Sequence, residues 1–571
     1  MTLVRDHRLI RHPIAGRARV LSDCPMPPTV TGPATRRSVR WLPNAALVVM
    51  VAVLPACRAP ANNDDLLPAT EGPAPTAETA GTAGTAETVE TAETAETAET
   101  AETTISVTPA SMPFDRRILG TNLPAWLGTE RLTDPAFQDE ALASGTTMVR
   151  MPGGSWSNSY DWLACELRDE DECFFTWAAR PSDFISFMDS TGLDGMWTAS
   201  INDTAESAAA AVAFFNGTVD DSTAIGTDRN GTDWMTVGTW AQLRADRGYR
   251  EPVPIQLWEV GNEVFGGKPS AGGSQCASFG WETVWTCDGT DYVEGTLEND
   301  GFLQFREAML AVDPTIEVGA VGVGEPGSWN EWGREVINGA DGEMDFYVVH
   351  DYGFNDSPDL DDLVSRPGEH WPGLMNELRA ELDAEIPVAV TEYNLVAFQD
   401  GDTDQTMATA ANALYFADTI GQLALNGVAM ANQWNLANGT AENGTDYGML
   451  NLDDGSRRPQ FYAMAAWAQA GDRILPAIDL DEVRLYPTVH EDGTVTLIAL
   501  NRSGRSSAHR FRLSNDTTPS TPASGDIVAA VADAADATTM VLSEAAALEV
   551  VDGVVAVTLP PWSISAVELS T

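Results

Sequence analysis

The chain is poor in histidine, cysteine and basic residues. Its 571 residues include six His, six Cys and 32 Lys or Arg against 84 Asp or Glu, which gives a formal net charge of −52. The His are scattered and none stands with Cys at the spacing of a zinc site, so we predict no metal or other cofactor. The acidic excess argues against nucleic acid or any other polyanion as a partner.

Long apolar runs are also scarce, and the one that stands out lies near the beginning of the chain. Three arginines precede the segment 41–56, which is too short and too poorly flanked for a membrane span but typical of a signal peptide. It ends in "LPAC" (54–57), which resembles a bacterial lipobox and implies lipidation of Cys57. A plain signal peptide cleaved after Ala56 is the alternative. We therefore predict that residues 1–57 are an export signal.

Residues 58–105 contain a run of Thr-Ala-Glu repeats. Such a sequence cannot form a core, and its like charges keep the chain extended. We predict a disordered acidic linker that tethers the following domains to a membrane through the lipid anchor. Arg58, in place of Asp after the cysteine, favours the outer membrane. We expect the protein on the outer membrane or cell surface of a bacterium.

Four cysteines follow the signal segment and form two close pairs in the sequence. In an exported protein the simple interpretation is two local disulfides, Cys165–Cys173 and Cys276–Cys287. Four cysteines permit three pairings, so this interpretation depends on proximity alone.

Between residues 116 and 470, short apolar runs alternate with Ala-rich or amphipathic segments. Eight runs are strand candidates, at 117–122, 147–153, 196–202, 255–263, 316–322, 345–353, 387–394 and 427–435. The clearest helix candidates are 204–217, 301–312, 370–382 and 408–425. Eight strand–helix units over about 350 residues predict an α/β fold, a (β/α)8 TIM barrel. A doubly wound open sheet is the alternative, but the chain lacks the Gly-rich phosphate loop that usually follows its first strand.

The pattern changes after residue 470. Four segments alternate with a period of two and are separated by turns, at 483–489, 494–503, 509–514 and 554–569. They predict a C-terminal antiparallel β-sandwich domain over residues 471–571. A strand candidate at 103–109 precedes the barrel, and we predict that residues 106–115 contribute the first strand of the sandwich.

Polar and aromatic residues stand where the predicted barrel strands end. In such barrels functional side chains lie at the C-terminal ends of the strands. The residues at these ends are Arg150, Asn202, Asn262, Glu263, His350, Tyr352, Glu392 and Trp434. Aromatic and hydroxyl-binding groups around two carboxylates suit sugars, which offer apolar ring faces and many hydroxyls.

Two of these residues, Glu263 and Glu392, have the arrangement that glycoside hydrolysis needs. Strands four and seven can face each other across the barrel mouth, and a retaining enzyme needs an acid and a nucleophile about 5–5.5 Å apart. We predict that Glu263 protonates the glycosidic oxygen and that Glu392 attacks the anomeric carbon. Glu259 lies roughly 13 Å deeper at about 3.3 Å per residue. We expect it to pair with a buried cation, such as Arg150.

The segments "WEVGNE" (258–263) and "VTEYN" (390–394) resemble clan A glycoside hydrolases. In that clan the strand-four Asn-Glu carries the acid/base and the strand-seven Glu is the nucleophile. Further segments resemble family 51, the α-L-arabinofuranosidases: "VRMPGGSWSNSYDW" (149–162), "INDTAESAAAAVAFFNG" (201–217), "HDYG" (350–353) and "RRPQFYAM" (457–464). The resemblance covers roughly residues 106–571 and implies a retaining α-L-arabinofuranosidase that acts on polysaccharides or oligosaccharides.

The sequence departs from family 51 beside both glutamates. "VFG" follows Glu263 where the family has Met-Asp-Gly, and "TEYN" stands where it has Asp-Glu-Trp-Asn. The first-strand segment "ILGTNLPAWLG" (118–128) also replaces an aromatic-rich one. A β-xylosidase, β-glucuronidase or endo-glycanase activity, as in families 39, 79 and 30 of the clan, is therefore the near alternative.

The other strand-end residues are candidates for binding the sugar. The Asn262 amide can bind the 2-hydroxyl, and the resemblance implies that the Tyr352 hydroxyl is directed at the nucleophile. We expect His350 to contact the substrate or the nucleophile, and Trp434 to be the floor on which the ring stacks. Core packing is the alternative for Tyr352, His350 and Trp434.

Four further candidates have alternatives of equal or greater weight. Arg150 is either a structural ion-pair partner inside the barrel or the group that keeps the nucleophile ionised. Asn202 is either a sugar contact or the cap of the helix predicted to begin near residue 204. Trp126 and Trp156 are weaker candidates for stacking on a sugar.

Two non-enzymatic functions are alternatives. One is a glycan-binding surface lipoprotein on a barrel that has lost its activity, although such a site usually loses one of its two carboxylates. The other is an adhesin, which would not need paired glutamates at matched strand ends.

Overall fold

A computed structural model describes residues 102–107, 111–168, 173, 176–267, 282–340, 342–515 and 524–570. The predicted signal peptide, its Cys57 and the linker up to residue 101 lie outside the described residues, as does Cys276. Within the described ranges, no helix combines the length and the hydropathy that a membrane crossing requires.

Eight parallel strands close into a barrel, as the sequence predicts. Two short strands come first, β1 (Glu102–Val107) and β2 (Met112–Pro113). The barrel strands are β3 (Gly120–Asn122), β4 (Met148–Met151), β5 (Asp194–Ala199), β6 (Leu257–Val260), β7 (Glu317–Val321), β8 (Phe346–Phe354), β9 (Val388–Val396) and β10 (Met430–Gln433). Each pairs with its neighbour in the chain, and β10 closes the barrel against β3. The TIM-barrel prediction is confirmed.

Helices connect the strands. They are α1 (Gly128–Leu132), α2 (Pro135–Ala143), α3 (Trp162–Leu167), α4 (Pro181–Thr191), α5 (Ala205–Asn216), α6 (Val237–Asp246), α7 (Gly289–Glu294), α8 (Phe302–Val312), α9 (Ser328–Gly339), α10 (Leu360–Arg379), α11 (Ala410–Leu425) and α12 (Pro459–Trp467). The four helices predicted from the sequence correspond to α5, α8, α10 and α11. Helix α5 is capped by Thr204, whose side chain accepts a hydrogen bond from the Ser207 N–H. The alternative role of Asn202 as this cap is therefore wrong.

The barrel interior is layered, with an apolar layer beneath a charged one. The apolar layer consists of Met148, Met196, Leu257, Phe346, Val348, Ala389 and Met430. Arg150 and Glu259 each follow a member of this layer by two residues, so they point to the same side of their strands. The charged layer therefore lies one step nearer the C-terminal mouth of the barrel.

The chain after the barrel forms a β-sandwich. A two-stranded sheet of β11 (Ala437–Asn438) and β12 (Leu450–Asn451) precedes it. The later strands are β13 (Arg473–Ile474), β14 (Ile478–Leu480), β15 (Val483–Val489), β16 (Val495–Asn501), β17 (Ser507–Asn515), β18 (Ser524–Val531), β19 (Val541–Leu542), β20 (Ala546–Ala547), β21 (Glu549–Val551), β22 (Val554–Leu559) and β23 (Ser563–Ser570). One sheet has the order β1-β17-β22-β21, and the other β19-β18-β23-β16-β15-β13-β2 with β14 and β20 at its edges. The predicted sandwich is confirmed.

The first strand of the sandwich differs from its prediction in position and direction. Strand β1 begins at Glu102, inside the segment predicted as linker, and pairs with β17 in parallel. Composition assigns Glu102 to the acidic repeat, but its carboxylate forms an ion pair with Arg512 at 2.5 Å and Ile105 is buried in the sandwich core. Residues 106–115 therefore contribute the end of β1 and all of β2, which pairs with β13.

The predicted disulfide between Cys165 and Cys173 is present and closes the loop that follows α3. Cys287 is also disulfide-bonded. Because Cys276 lies outside the described residues, the Cys276–Cys287 pairing stays a prediction.

Candidate active site

The C-terminal mouth of the barrel contains a cleft of about 960 Å³. Its lining includes six of the ten residues that the sequence singles out as site candidates: Asn262, Glu263, His350, Tyr352, Glu392 and Trp434. It also includes Ser155, Phe265, Trp329, Phe398 and Tyr447, which are not among the candidates predicted from the sequence. The residues predicted at the ends of strands four, six, seven and eight therefore meet in one place.

The two glutamates of the predicted acid–nucleophile pair face each other across this cleft. A carboxylate oxygen of Glu263 and one of Glu392 lie within 4.8 Å of each other. Glu263 directly follows the turn after β6 and has a left-handed backbone, with φ 41° and ψ 40°. A non-glycine residue in this region costs on the order of 1–3 kcal/mol, and such strain concentrates at functional sites.

His350 lies between the two carboxylates. Its Nδ1 is 2.9 Å from Glu263 Oε1 and 3.7 Å from Glu392 Oε2, and its Nε2 is 3.0 Å from Thr391 Oγ1. Burial opposes a charge on the imidazole, but the charges of Glu392 and Glu263 outweigh it and raise the pKa of His350. Whenever it is protonated, the imidazolium reduces the repulsion between the two glutamates.

Both oxygens of Glu392 accept hydrogen bonds. Arg150 Nη1 donates to Oε1 at 2.8 Å, and the Tyr352 hydroxyl donates to Oε2 at 2.8 Å. Burial and the nearby charge of Glu392 raise the pKa of Tyr352 well above its usual value, so its O–H stays a donor. The Glu392 side chain is 6 % exposed. It is held in one orientation at the floor of the cleft.

Arg150 is the centre of the charged layer below the cleft. It is fully buried, and its Nε donates to Glu259 Oε1 at 2.5 Å while its Nη2 donates to Asn262 Oδ1 at 2.8 Å. Burial opposes its charge, but Glu259 and Glu392 raise the pKa of Arg150 above its usual value. The predicted pairing of Glu259 with Arg150 is confirmed. Arg150 does not line the cleft, so it contacts the predicted nucleophile rather than a sugar.

Trp434 lines the cleft beside the backbone of the Gly153-Gly154 turn. Gly154 has φ 67° and lies so close to the indole that a Cβ there would collide with the ring. A glycine is required at this position by both conformation and space. Asn394 donates a hydrogen bond to the Trp434 carbonyl, which helps to fix the backbone that carries the indole.

Three predicted sugar contacts do not line the cleft. Trp156 packs edge-on against Trp177 with ring centroids 5.6 Å apart, and Trp126 packs partly buried against the main core. The Asn202 amide donates to the backbone carbonyls of Asn158 and Thr283. A position at a strand end, or an aromatic side chain, was therefore not enough to predict a sugar contact. At these three residues the side chain contacts other parts of the protein instead.

A third buried carboxyl group, Glu282, lies beside the site and was not singled out by the sequence. It is 1 % exposed. Its Oε1 is 2.5 Å from Ser155 Oγ and 3.2 Å from Asn262 Nδ2, and its Oε2 accepts from Asn158 Nδ2 at 2.8 Å. Glu282 follows no predicted strand. The sequence feature that could have indicated this cluster is the segment "GGSWSNS" (153–159), which contains its members Ser155 and Asn158.

Three side chains of the site also have potential metal-ligand atoms. In the described part of the chain, Glu263, His350 and Glu392 form the one group of three or more such residues with donor atoms within 4.8 Å of one another. The hydrogen bonds of His350 to Glu263 and Thr391 already account for this approach without an ion.

Solved structures of glycoside hydrolases share the fold of the chain. An α-L-arabinofuranosidase from Thermotoga maritima, solved in complex with arabinose, is 17 % identical with a TM-score of 0.61, and the match covers 82 % of this chain and 99 % of that one. A family 51 α-L-arabinofuranosidase from Bifidobacterium longum is 18 % identical with a TM-score of 0.60, over 82 % and 99 % of the two chains.

A xyloglucanase of glycoside hydrolase family 44 from Paenibacillus polymyxa has the same architecture at lower similarity. It is 16 % identical, with a TM-score of 0.52 over 82 % of this chain and 99 % of that one. No protein-family model and no curated protein matches the chain. At these identities the comparisons establish a fold shared with clan A glycoside hydrolases of families 51 and 44: a TIM barrel with a β-sandwich.

Proposed function

We propose that the chain is a retaining glycoside hydrolase in which Glu263 is the acid/base and Glu392 the nucleophile. One observation carries this proposal: a carboxylate oxygen of Glu263, just after β6, and one of Glu392, within β9, lie within 4.8 Å of each other in an open cleft. Retaining enzymes have their carboxyl groups about 5–5.5 Å apart, whereas inverting enzymes need about 6.5–9.5 Å to admit a water.

The proposed reaction has two steps. In the first, the Glu263 carboxylic acid protonates the glycosidic oxygen while a Glu392 oxygen attacks the anomeric carbon and the alcohol leaves. In the second, Glu263 takes a proton from a water that attacks the anomeric carbon and breaks the bond to Glu392. The ester bond neutralises Glu392 between the steps, and this lowers the electrostatic cost of an ionised Glu263, now the base.

The proposed substrate is an α-L-arabinofuranosyl group on a plant or algal polysaccharide or oligosaccharide. Three observations support it: the family 51 motifs of the sequence, the shared fold with two arabinofuranosidases, and a cleft large enough for a sugar with part of the chain that bears it. A β-xylosidase or an endo-glycanase is the near alternative, since the fold is shared with a xyloglucanase as well.

The charge of the cleft favours a neutral sugar over a glucuronide. Besides the predicted catalytic pair, the lining contains the acidic residues Glu325, Asp351, Glu369 and Glu377. Its titratable nitrogen groups are His350 and His370, and no Arg or Lys is among the described lining residues. A uronic acid carboxylate would meet like charges here, and both imidazoles of the lining are already bonded to carboxylates, His350 to Glu263 and His370 to Asp351.

We also propose that the protein is exported and held by a lipid on Cys57. The lipobox-like sequence and the acidic linker support this location. The disulfide between Cys165 and Cys173 agrees with it, because disulfides persist in oxidising compartments outside the cytosol. Growth with a radiolabelled fatty acid would test it: label should enter the wild-type protein and be absent from a Cys57→Ala variant.

Purified protein assayed on a panel of nitrophenyl glycosides tests the proposed function. We expect hydrolysis of the α-L-arabinofuranoside and none of the β-glucuronide. Glu392→Ala should lower kcat/KM by about four orders of magnitude, and Glu263→Ala should slow substrates with poor leaving groups by about 10²–10⁴-fold. The matched control is Glu385→Ala, an exposed glutamate before β9, which should keep full activity.

Azide separates the two roles. In Glu263→Ala it should attack the glycosyl-enzyme and give a glycosyl azide of retained configuration. In Glu392→Ala it should occupy the space of the nucleophile and give the inverted azide. Wild-type inactivity on every sugar together with retained glycan binding would instead favour the non-catalytic binding protein.

A further inference from the structure

The buried carboxyl group of Glu282 connects two side chains that face the cleft. Its Oε1 is 2.5 Å from Ser155 Oγ and 3.2 Å from Asn262 Nδ2, and both of those residues line the cleft. Glu282 itself is 1 % exposed and is not among the lining residues. Asn158 Nδ2 holds its other oxygen at 2.8 Å. The carboxyl group therefore sits behind the cleft wall and fixes two groups of that wall.

Asn262 is held from both ends of its amide. Arg150 Nη2 donates to its Oδ1 at 2.8 Å, and its own Nδ2 donates to Glu282 at 3.2 Å. Its backbone is held as well, since Asn158 contacts both the Asn262 N–H and its carbonyl. The orientation of Asn262 therefore depends on Arg150 from below and on Glu282 from the side.

The charges around Glu282 disfavour its ionised form. Glu263 after β6, whenever it has given up its proton, and Glu392 on β9 bring negative charge toward it. The positive groups of the site belong to other carboxylates: Arg150 on β4 pairs with Glu259 and Glu392, and His350 on β8 bonds Glu263. Burial first, and then the charge of Glu263, raise the pKa of Glu282 to about 8.

We propose that Glu282 is a positioning residue of the active site that works as a neutral carboxylic acid. Its O–H donates to Ser155 Oγ, so the Ser155 hydroxyl hydrogen turns into the cleft and donates to an oxygen of the bound sugar. When Glu282 ionises, the Ser155 hydroxyl turns back and donates to the carboxylate, and the sugar loses this donor. Ionisation releases the Glu282 O–H proton to water, and otherwise only these hydrogen bonds change. The inference rests on the proposed function, since it assigns Ser155 a sugar contact.

The test compares Glu282→Gln, Glu282→Ala and Ser155→Ala with the wild type. A glutamine amide can donate to Ser155 Oγ as the neutral acid does, but its nitrogen cannot accept from Asn262 Nδ2. Glu282→Gln should therefore lower kcat/KM by only a few-fold, clearly less than the loss of about tenfold or more expected for Glu282→Ala and Ser155→Ala. The double variant Glu282→Ala/Ser155→Ala should lose no more than about threefold beyond either single variant, because both act on the same hydrogen bond.

The pH dependence of KM separates the proposed role of Glu282 from a purely structural one, because a purely structural role would not change it. In the wild type KM should rise as pH passes about 8, when Glu282 loses its proton. In Glu282→Gln it should stay flat through that range. The matched control is Glu166→Gln, a buried glutamate that accepts from Ser182 and pairs with Arg247 outside the cleft. It should lose thermal stability and keep the wild-type KM at every pH.

Each outcome decides between the proposals. Normal wild-type hydrolysis with Glu282→Gln as impaired as Glu282→Ala, or with the same pH dependence of KM in Glu282→Gln and wild type, overturns this inference and leaves the proposed function standing. A wild type that neither hydrolyses the panel nor changes its tryptophan fluorescence with L-arabinose overturns both.

Discussion

At the level of single residues, the two glutamates differ in how freely they can move. Both oxygens of Glu392 are held, by Arg150 and by Tyr352, and its side chain is 6 % exposed. The Glu263 side chain is 19 % exposed and opens to the cleft. A nucleophile has to stay aligned with one carbon, whereas an acid/base has to reach first the leaving oxygen and then a water. The difference in exposure fits the proposed division of roles.

The hydroxyl of Tyr352 is expected to matter for kcat. Tyr352→Phe removes the donor to Glu392 Oε2 and changes little else, because the ring keeps its shape. We expect kcat to fall by about ten- to a hundredfold with KM nearly unchanged, since the lost contact aligns the nucleophile rather than the sugar. Tyr160→Phe, which removes a hydroxyl bonded to the Ala179 carbonyl outside the cleft, is the control in the same kinetic assay. Equal kcat in Tyr352→Phe and the wild type would contradict the assigned role.

The charge on His350 is expected to stabilise the fold in a pH-dependent way. Its pKa is raised in the folded state because the charges of Glu392 and Glu263 outweigh the effect of burial. Its contribution is therefore fully present below the unfolded value of about 6.5 and is lost as pH rises through the higher folded value. The melting temperature of the wild type should exceed that of His350→Gln by more at about pH 5.5 than at about pH 9.

For His509 on β17 the expected dependence of stability on pH has the opposite sign, so this residue serves as the control. Burial lowers its pKa, so the fold favours the neutral imidazole and loses stability as pH falls. The melting temperature of His509→Gln, relative to that of the wild type, should therefore increase toward low pH. A His350→Gln difference that grows toward high pH instead would show that the imidazole is neutral between the glutamates.

The sequence predicts the residues whose positions follow from counting strands. Glu263 lies just after β6 and Glu392 lies within β9, and the regular geometry of a closed barrel brings the C-terminal parts of its strands to one rim. Counting strands does not find Ser155, Asn158 and Glu282, because they lie in connections between the barrel strands. The conformation of such connections depends on contacts between residues that are distant in the sequence. Glu282 and Ser155 are separated by 127 residues, and no local pattern links them.

At the level of elements, strand periodicity identifies all eight barrel strands, because strands buried on both faces appear as compact apolar runs. It also locates β1 to within two residues, at 103–109 against Glu102–Val107, whereas composition misplaces the start of this strand. Its alternation extends into a segment whose Thr-Ala-Glu composition indicates a linker, and only the tertiary contacts of Ile105 and Glu102 decide the boundary. Composition indicates which segments lack the apolar side chains that a core needs. The residue at which the folded domain begins depends instead on which side chains pack against that core.

Strand β1 is expected to be part of the stable domain. A chain that begins at residue 111 lacks β1, exposes the edge of β17 and leaves a space where Ile105 packs in the sandwich core. Its unfolding free energy should fall by about 2–5 kcal/mol, the usual cost of removing a buried isoleucine side chain. Chemical denaturation of chains beginning at residues 102 and 111 measures the difference. Activity at low temperature should be equal in both, because the cleft lies in the barrel, and equal stability would place β1 outside the folded domain.

At the level of the whole molecule, the barrel and the sandwich share a polar contact within their packed interface. Tyr486 of β15 donates to Asp418 of α11, and Arg484 of the same strand forms an ion pair with Asp418 at 2.8 Å. Gln422 donates to the Tyr486 hydroxyl at 2.9 Å, and the Trp467 ring of α12 packs against Tyr486. A buried carboxylate with these partners fixes the relative position of two domains more strictly than apolar contact alone.

The net charge of −52 gives the last prediction. Excess charge of one sign repels itself in the compact state, and added salt screens that repulsion within a Debye length of about 10 Å at 0.1 M. The melting temperature should therefore rise as NaCl increases from about 0.05 to 1 M, with most of the change at the low end, where the Debye length shortens fastest. The kcat/KM on a neutral arabinofuranoside should change little over this range, because an uncharged substrate does not feel the surface field. Sucrose at matched osmolality is the control for general stabilisation by excluded solutes. If NaCl gave no more stabilisation than sucrose, long-range repulsion would not be what limits the stability of this protein.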